Sequence, residues 1–450
     1  MMKPNINRSI RQLFLRQKNL IYCLFLPPMK KIISVFSITV ISLFVLAVFG
    51  WMSVHISKGD KDFGFANEPI RFMYSFLDQF NKSVKEVENL SATFLPIWNE
   101  FEPINKLESD LKILISYSES NSFRAVAIRN LKNDSIEYKW SIPEKAGRWD
   151  RVVNPYVLDN KDLVYFYTDN TGLRRIDSTG NFKWKQDSVM AHHSLNVDSA
   201  GNFWVCTKNK PKGSATASYK IDGRTVYYDD DYITLIDAQT GDMIFHKSVS
   251  EILKSNKLNN YILQAQTAKD PLHLNDIQPA LKTTKYYNEG DVFLSIKQSS
   301  ILLHYRPETN KVLKVFEGPF SAQHDIDFYN DSVLTIFNNN SYPHWTTETK
   351  SKPANDENLV KSGNFYSNIV RYDFVSDKYS FIGDSLFRDQ KLFSSTEGLH
   401  EFINDSTYFI EEQNNGIYWV IKNEEVIYKD IFRSLKSGYC HLPNWARVIH

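Results

Sequence analysis

From about Leu111 to its end the chain runs in short stretches of alternating apolar and polar residues, broken by turn-forming segments. Alternation of period two marks strands with one face buried. One unit reads "DLVYFYTDNTGLRRIDSTGNFKWKQD" (Asp162–Asp187). A strand-like run and a polar turn lead to a second run with Ile176 and Asp177, then a glycine turn, then Phe182 and Trp184. The order returns in "NFWVCTKN", which after an insertion leads to "DYITLIDAQTGDMIFHKSV" (Asp231–Val249), and in "GDVFLSIKQSSILLHYRPETNKVLKVFEG" (Gly290–Gly318). It returns again in "SVLTIFNN" with "NIVRYDFVSDKYSFIGDS" (Asn368–Ser385), and last in "STYFIEEQNNGIYWVIKNEEVIYKD" (Ser406–Asp430). With a degenerate first unit near Leu111–Ile142, six units are counted.

Each unit predicts a three- to four-stranded antiparallel sheet, with "STGN" and "QTGD" as hairpin turns. One such sheet cannot bury both faces alone. Radial packing buries each face against a neighbour and leaves only short edges. A pair of stacked sheets explains the regular spacing less well. The expected fold is all-β, a six-bladed β-propeller over residues 111–450.

Upstream the pattern changes twice. Ile32–Val54 holds no charged residue, and a helix of that length crosses a hydrocarbon core of about 30 Å. Seven Lys or Arg residues precede it (Lys3, Arg8, Arg11, Arg16, Lys18, Lys30 and Lys31). The positive-inside rule then makes 1–31 a cytoplasmic segment and 32–54 a single transmembrane anchor, with Trp51 at the outer interface and the rest of the chain outside. A cleaved signal peptide is the alternative, but the apolar run is long for one and no clear small-residue cleavage site follows. Met29, followed by two lysines, reads as a natural start. In Ile70–Phe101, residues Phe72, Phe76, Phe80 and Val84 recur about four apart. That spacing predicts a helical stalk or linker within residues 55–110.

Composition narrows the function classes. The aromatic share of 14%, with 24 Tyr and 30 Phe, suits strands. A formal net charge of +1 provides no field for nucleic acid. Of the three cysteines, Cys23 precedes the apolar segment, and Cys206 and Cys440 are expected as buried free thiols. No C-x-x-C pair marks a structural zinc site.

Candidate chemistry lies in the histidines. "AHHSLNVDSAGNFWV" (His193), "DPLHLNDIQPAL" (His273) and "SAQHDIDFYNDSVLTIF" (His324) each place a histidine just before an innermost strand. Equivalent positions of successive blades converge around a propeller's central channel. Three histidines at one phase therefore predict a shared pocket, with His192 the weaker member of its pair. Three imidazoles can ligate zinc with an open fourth position, with Asp276 and Asp325 as supporting carboxylates. Asn275, Lys297 and Gln323 fall in the same stretches. A lysine repels a dication and favours an oxyanion, which suits sulfuryl or phosphoryl transfer better. Neither metal nor cofactor is expected in this chemistry.

The stretches "HHSLNVDSAGNFWV", "DPLHLND", "GDVFLSIKQSSILLHY", "QHDIDFYNDSVLTIFNN" and the ending "EGLHEFINDSTYFIEEQNNGIYWV…NWARVI" resemble the bacterial arylsulfotransferases over roughly Ile176 to Ile449. The resemblance implies an exported six-bladed propeller that moves a sulfuryl group between phenols by a ping-pong route through a sulfohistidine, without a nucleotide sulfate donor. It implies His324 as the nucleophile. His193, His273 and Asn275 would hold sulfate oxygens and polarise the phenolic oxygen. Where the family carries arginine in its "S-x-R" position, this chain has Lys297 in "LSIKQ". Lysine supplies a point charge in place of a bidentate fork. The implied partners are a phenolic sulfate donor and a phenol acceptor. The implied location is a bacterial inner membrane, crossed once, with the propeller facing the periplasm. A non-catalytic propeller binding a ligand or protein at the membrane surface is the alternative, and a metal-dependent hydrolase or lyase is a third reading.

Overall fold

The computed structural model describes residues 33–55, 63–74, 93–98, 101–209, 216–221, 223–265, 267–341 and 366–449. The chain divides into two compact units, Met1–Val87 and Glu88–His450. In the first, Ile33–His55 is one helix of 23 residues, long and apolar enough to cross a membrane, with no part of its apolar window buried. A short helix, Asn67–Tyr74, follows. Residues 75–92 of the expected stalk, with Phe76, Phe80 and Val84, lie outside the described residues. Its far end is not helical: Phe94–Pro96 and Ile104–Asn105 are strands paired with the second unit's own strands.

The second unit contains six sheets of the blade type, and the middle strands show why. Phe203–Lys208, Val333–Asn338 and Thr407–Glu412 are buried along their whole length. Both of their faces meet neighbouring blades, so they read as continuous apolar runs, whereas the outer strand Ser135–Ser141 is mostly exposed. Blade 2 runs outward through Tyr156–Val157, Leu163–Tyr165, Arg174–Ile176 and Phe182–Lys185. Blade 3 comprises Met190–Val197, Phe203–Lys208, Tyr232–Ile236 and Met243–Ser248, with the expected insertion forming a hairpin of Ala217–Ile221 and Arg224–Tyr228. Blade 4 is Leu274–Pro279, Val292–Ile296, Ile301–Arg306 and Lys311–Phe316. Blade 5 is His324–Asn330, Val333–Asn338, Asn368–Asp373 and Lys378–Ile382. Blade 6 is Leu399–Asn404, Thr407–Glu412, Ile417–Lys422 and Glu425–Ile431, with Ile104–Asn105 added at its outer edge.

Blade 1 is assembled from both ends of this unit. Its outer three strands, Lys112–Ser118, Arg124–Asn130 and Ser135–Ser141, come first in sequence, and its inner strand is Arg447–Ile449. Val448 pairs with Ile113 across the closure. Blades also lock through their turns. Trp184 of blade 2 donates its indole N–H to Ala238 O of blade 3 at 3.1 Å. Gly241 in the "QTGD" turn has φ +78°, and a Cβ there would meet the Trp184 ring at 2.7 Å, so both conformation and space require glycine. Cys206 and Cys440 are buried free thiols.

The segment before the closing strand is pinned by Glu411 of blade 6. Its carboxylate, fully buried, accepts the backbone N–H groups of Trp445 at 2.8 Å and Ala446 at 2.7 Å. An unpaired buried donor costs about 1–3 kcal/mol. Glu411→Ala strands both N–H groups and is expected to lower the urea midpoint by an amount equivalent to roughly 2–6 kcal/mol. A midpoint equal to that of the wild type would show that the pin carries no stability.

Candidate functional site

The inner strands of blades 3, 4 and 5 share a local irregularity. Their pairing with the second strand slips between His192 and Leu195, between Leu274 and Asp276, and between His324 and Ile326. Left-handed backbone accompanies each slip, with φ of +54° at His193, +50° at His273 and +49° at Asp325. A bulge of this kind re-aims a side chain that regular pleating would send elsewhere. The three imidazoles meet as a result: the His193 ring centroid lies 5.0 Å from that of His273 and 5.9 Å from that of His324.

They border a cavity of about 200 Å³ lined also by Arg151, Val153, Thr168, Asp169, Lys297, Thr396, Glu397 and Trp445. Every blade or its leading loop contributes to this wall. A roomier hollow of about 860 Å³ lies elsewhere, beside Phe94, Tyr117 and Leu435, and contains none of the candidate residues.

His324 is completely buried, and its surroundings fix its proton. Nδ1 lies 2.7 Å from Asn339 Oδ1 and 3.1 Å from Ala322 O. Asn339 is oriented by its own amide, which donates to Ser394 O at 2.8 Å and Glu397 O at 2.5 Å. Both neighbours of Nδ1 are therefore acceptors, so Nδ1 carries the hydrogen. Nε2 is left with a lone pair, and it has no partner. Burial and then the Lys297 charge hold this imidazole well below the usual histidine range, so it is neutral near pH 7.

His273 is held similarly. Its Nδ1 is 2.7 Å from Asp270 Oδ2. Burial and Lys297 lower its basicity, against Asp270, which raises it. Lys297 opens a 3-10 turn, Lys297–Ser299, after the second strand of blade 4. Its backbone N–H donates to His273 O at 3.3 Å, tying the two residues together. Behind them His192 Nδ1 contacts His193 Nδ1 at 2.8 Å, and its Nε2 lies 3.2 Å from Asp231, which also neighbours Lys208.

Four of the expected residues, His193, His273, Lys297 and His324, therefore share one cavity. Asn275, Gln323 and His192 are not in its lining. Asn275 donates to Gln323 O at 2.6 Å, and Gln323 donates to Ser295 Oγ and Ile301 O, both at 3.1 Å. These amides fasten blade 4 to blade 5 from behind the histidines. The sequence reading missed Asn339, Asp270, Arg151, Glu397 and Trp445. Arg151 forks onto Glu397 at 2.6 and 3.1 Å. The cavity is therefore less cationic than expected, since Glu397 offsets Arg151 and Asp169 adds an acid. The indole N–H of Trp445 is buried without a partner. Only "NNN" at Asn338–Asn340 and the "NWARVI" ending offered a signal for any of these.

Fold and cavity define a six-bladed propeller protein whose histidines converge where the inner strands begin. The sequence profile of the arylsulfotransferase (ASST) family matches residues 154–433. The chain belongs to that family, and its activity is arylsulfotransferase-like. None of the curated proteins matches the chain significantly. Among solved structures it is similar to a virginiamycin B lyase from Staphylococcus aureus at 10% identity, over 79% of this chain and 98% of that one, with TM-score 0.41. It is similar to a streptogramin B lyase at 12% identity, over 76% and 88%, with TM-score 0.39. A protein of unknown function from Bacteroides caccae matches at 12% identity, over 59% and 91%, with TM-score 0.29. Likeness at these scores carries no argument.

Lys297 stands beside His273 and His324, whose basicity burial and its charge both lower, an arrangement suited to a small tetrahedral anion. Sulfate is expected to raise the thermal midpoint of the full chain more than chloride at equal ionic strength. Lys297→Gln is expected to lose most of that difference. An equal rise in the variant would remove Lys297 from anion binding.

Proposed function

We propose that the chain transfers a sulfuryl group from an aryl sulfate to a phenol, with His324 Nε2 as the covalent carrier. The observation that carries this reading is the lone pair on Nε2, held neutral and unpartnered on a residue that lines the cavity with Lys297. In the first half-reaction Nε2 bonds to sulfur and the bond from sulfur to the aryl oxygen breaks. The electron pair leaves on the phenolate, whose charge Lys297 balances. In the second half the acceptor phenol gives its proton to Nε2 of His273, whose Nδ1–H is held by Asp270. The acceptor oxygen bonds to sulfur, the nitrogen–sulfur bond breaks, and the pair returns to His324. His273 then passes its proton to solvent. Dividing one transfer into two displacements lowers each barrier. The protein supplies positioning and charge balance, the main requirements of a loose transition state. His193 and the Trp445 indole N–H are suited to hold sulfate oxygens. A cavity of about 200 Å³ accepts the sulfate end, and the aromatic rings would lie towards its opening.

The basic segment before the helix Ile33–His55 supports a single crossing with the propeller on the periplasmic side. Protease added to intact spheroplasts would then degrade the propeller, and protection of it would reverse the topology.

Incubation with an aryl sulfate alone should add one sulfuryl group to the His324 peptide, and a second phenol should remove it. His324→Ala is expected to slow transfer by at least about a thousand-fold. Label on another residue, or wild-type transfer by His324→Ala, would sink the assignment. Saturable binding without any release of phenol would favour a non-catalytic propeller.

The reaction needs His324 neutral, and its protonation lies well below the ordinary value of 6.5. Activity is therefore lost only as pH falls through that depressed value, and the acid limb of kcat/KM is expected below pH 6.5. Asn339→Ala removes the Nδ1 acceptor and is expected to lower kcat about 10- to 100-fold, read at a temperature where circular dichroism shows the variant folded, since it also strands Ser394 O and Glu397 O. An acid limb above pH 7, or unchanged kcat in Asn339→Ala, would contradict the proton placement.

A further inference from the structure

A second polar group sits on the inner strands, beyond the histidine cavity and unused by the chemistry above. Asp325 and Asp327 project from the inner strand of blade 5, and His400 from that of blade 6. One ligand atom from each lies within 4.8 Å of the others. The His400 side chain is fully buried, yet its Nδ1, 2.9 Å from Asp325 Oδ2, is not in line for a hydrogen bond, and its Nε2 has no partner. A buried imidazole with neither nitrogen satisfied is costly and points to a ligand.

Nearby charges do not supply one. Asp276 is satisfied by Asn196 Nδ2 at 2.9 Å and by the backbone N–H groups of Ile277 at 2.8 Å and Ile326 at 2.6 Å. Glu401 accepts from Val448 N at 2.8 Å. Arg447, the adjacent cation, donates to Pro155 O and Leu195 O and lies over the Tyr156 ring. Asp325 receives one backbone N–H, from His400 at 2.8 Å.

We propose that Asp325, Asp327 and His400 bind one divalent first-row transition-metal ion, bridging the inner strands of blades 5 and 6. Mixed imidazole and carboxylate ligands suit ions such as Mn²⁺ and Zn²⁺. Three ligand atoms about 2.1 Å from one ion lie roughly 3.0–3.6 Å apart, so binding draws these side chains together from separations of up to 4.8 Å. The ion would offset two adjoining carboxylates and use the stranded imidazole. It would stand outside the histidine cavity as a brace between blades, so this inference does not depend on the sulfuryl-transfer reading. The rival occupant is a proton, since burial and then a neighbouring acid push both Asp325 and Asp327 well above the ordinary carboxylate range.

The test uses the full chain in detergent, stripped with EDTA and dialysed. Titration with MnCl₂, read as loss of the free-Mn²⁺ electron paramagnetic resonance signal, should show one saturable ion per chain, displaced by ZnCl₂. Bound Mn²⁺ should show nitrogen coupling from one imidazole. Asp327→Asn should weaken binding at least ten-fold, and His400→Gln should remove the nitrogen coupling. His273→Ala should bind within two-fold of wild type. No uptake by the stripped wild type overturns the proposal in favour of the shared proton. Wild-type affinity in Asp327→Asn, or lost binding in His273→Ala, overturns the site. If Asp327→Asn fails to fold, the wild-type stoichiometry and nitrogen coupling, with His400→Gln, decide the matter.

Discussion

Everything in the propeller depends on closing a ring of sheets with a three-residue strand. Arg447–Ile449 pairs with Lys112–Leu114, joining parts of the chain more than three hundred residues apart. Until that pairing forms, blade 1 lacks its inner strand and blade 6 has an uncovered face. Glu411 secures the approach to the closure through two backbone N–H bonds. Closing a long loop carries an entropic cost that grows only slowly with length, which is how so short a strand suffices once the interblade packing forms.

Ring closure makes the inner strands converge, and the bulges make them useful. A regular strand would alternate His192 and His193 across the sheet without regard to the cavity. The slipped register in blades 3, 4 and 5 brings His193, His273 and His324 to one point. Behind two of these rings stands a partner that fixes a proton: Asn339 for His324 and Asp270 for His273. Local backbone strain, side-chain direction and proton placement thus form one chain of causes.

Much of the fold was legible because its signals are local. Alternating runs marked the six units, the first of them degenerate, glycine turns marked several, and the apolar run marked the first helix. The recurring phase of the histidines was also readable. The ring closure was not, because nothing in "ARVI" says which distant strand it joins. That Asn275 and Gln323 lie outside the cavity lining was not legible, because proximity in sequence does not reveal which side of a bulge a side chain takes. Arg151 and Glu397 came from loops of blades 2 and 6, where no repeat set them apart. The far end of the expected stalk read as helix because its apolar spacing tolerates either period, and its pairing with Tyr439–His441 and blade 6 decided for strand.

Trp445 stands immediately before the closing strand and forms part of the cavity wall. The last blade to be completed and the last wall of the cavity are therefore one event. A partly synthesised or still unfolded chain has the His324 side chain but lacks the enclosure that strips it of water and silences its charge. On the sulfuryl-transfer reading, chemical competence would arrive only with structural completeness.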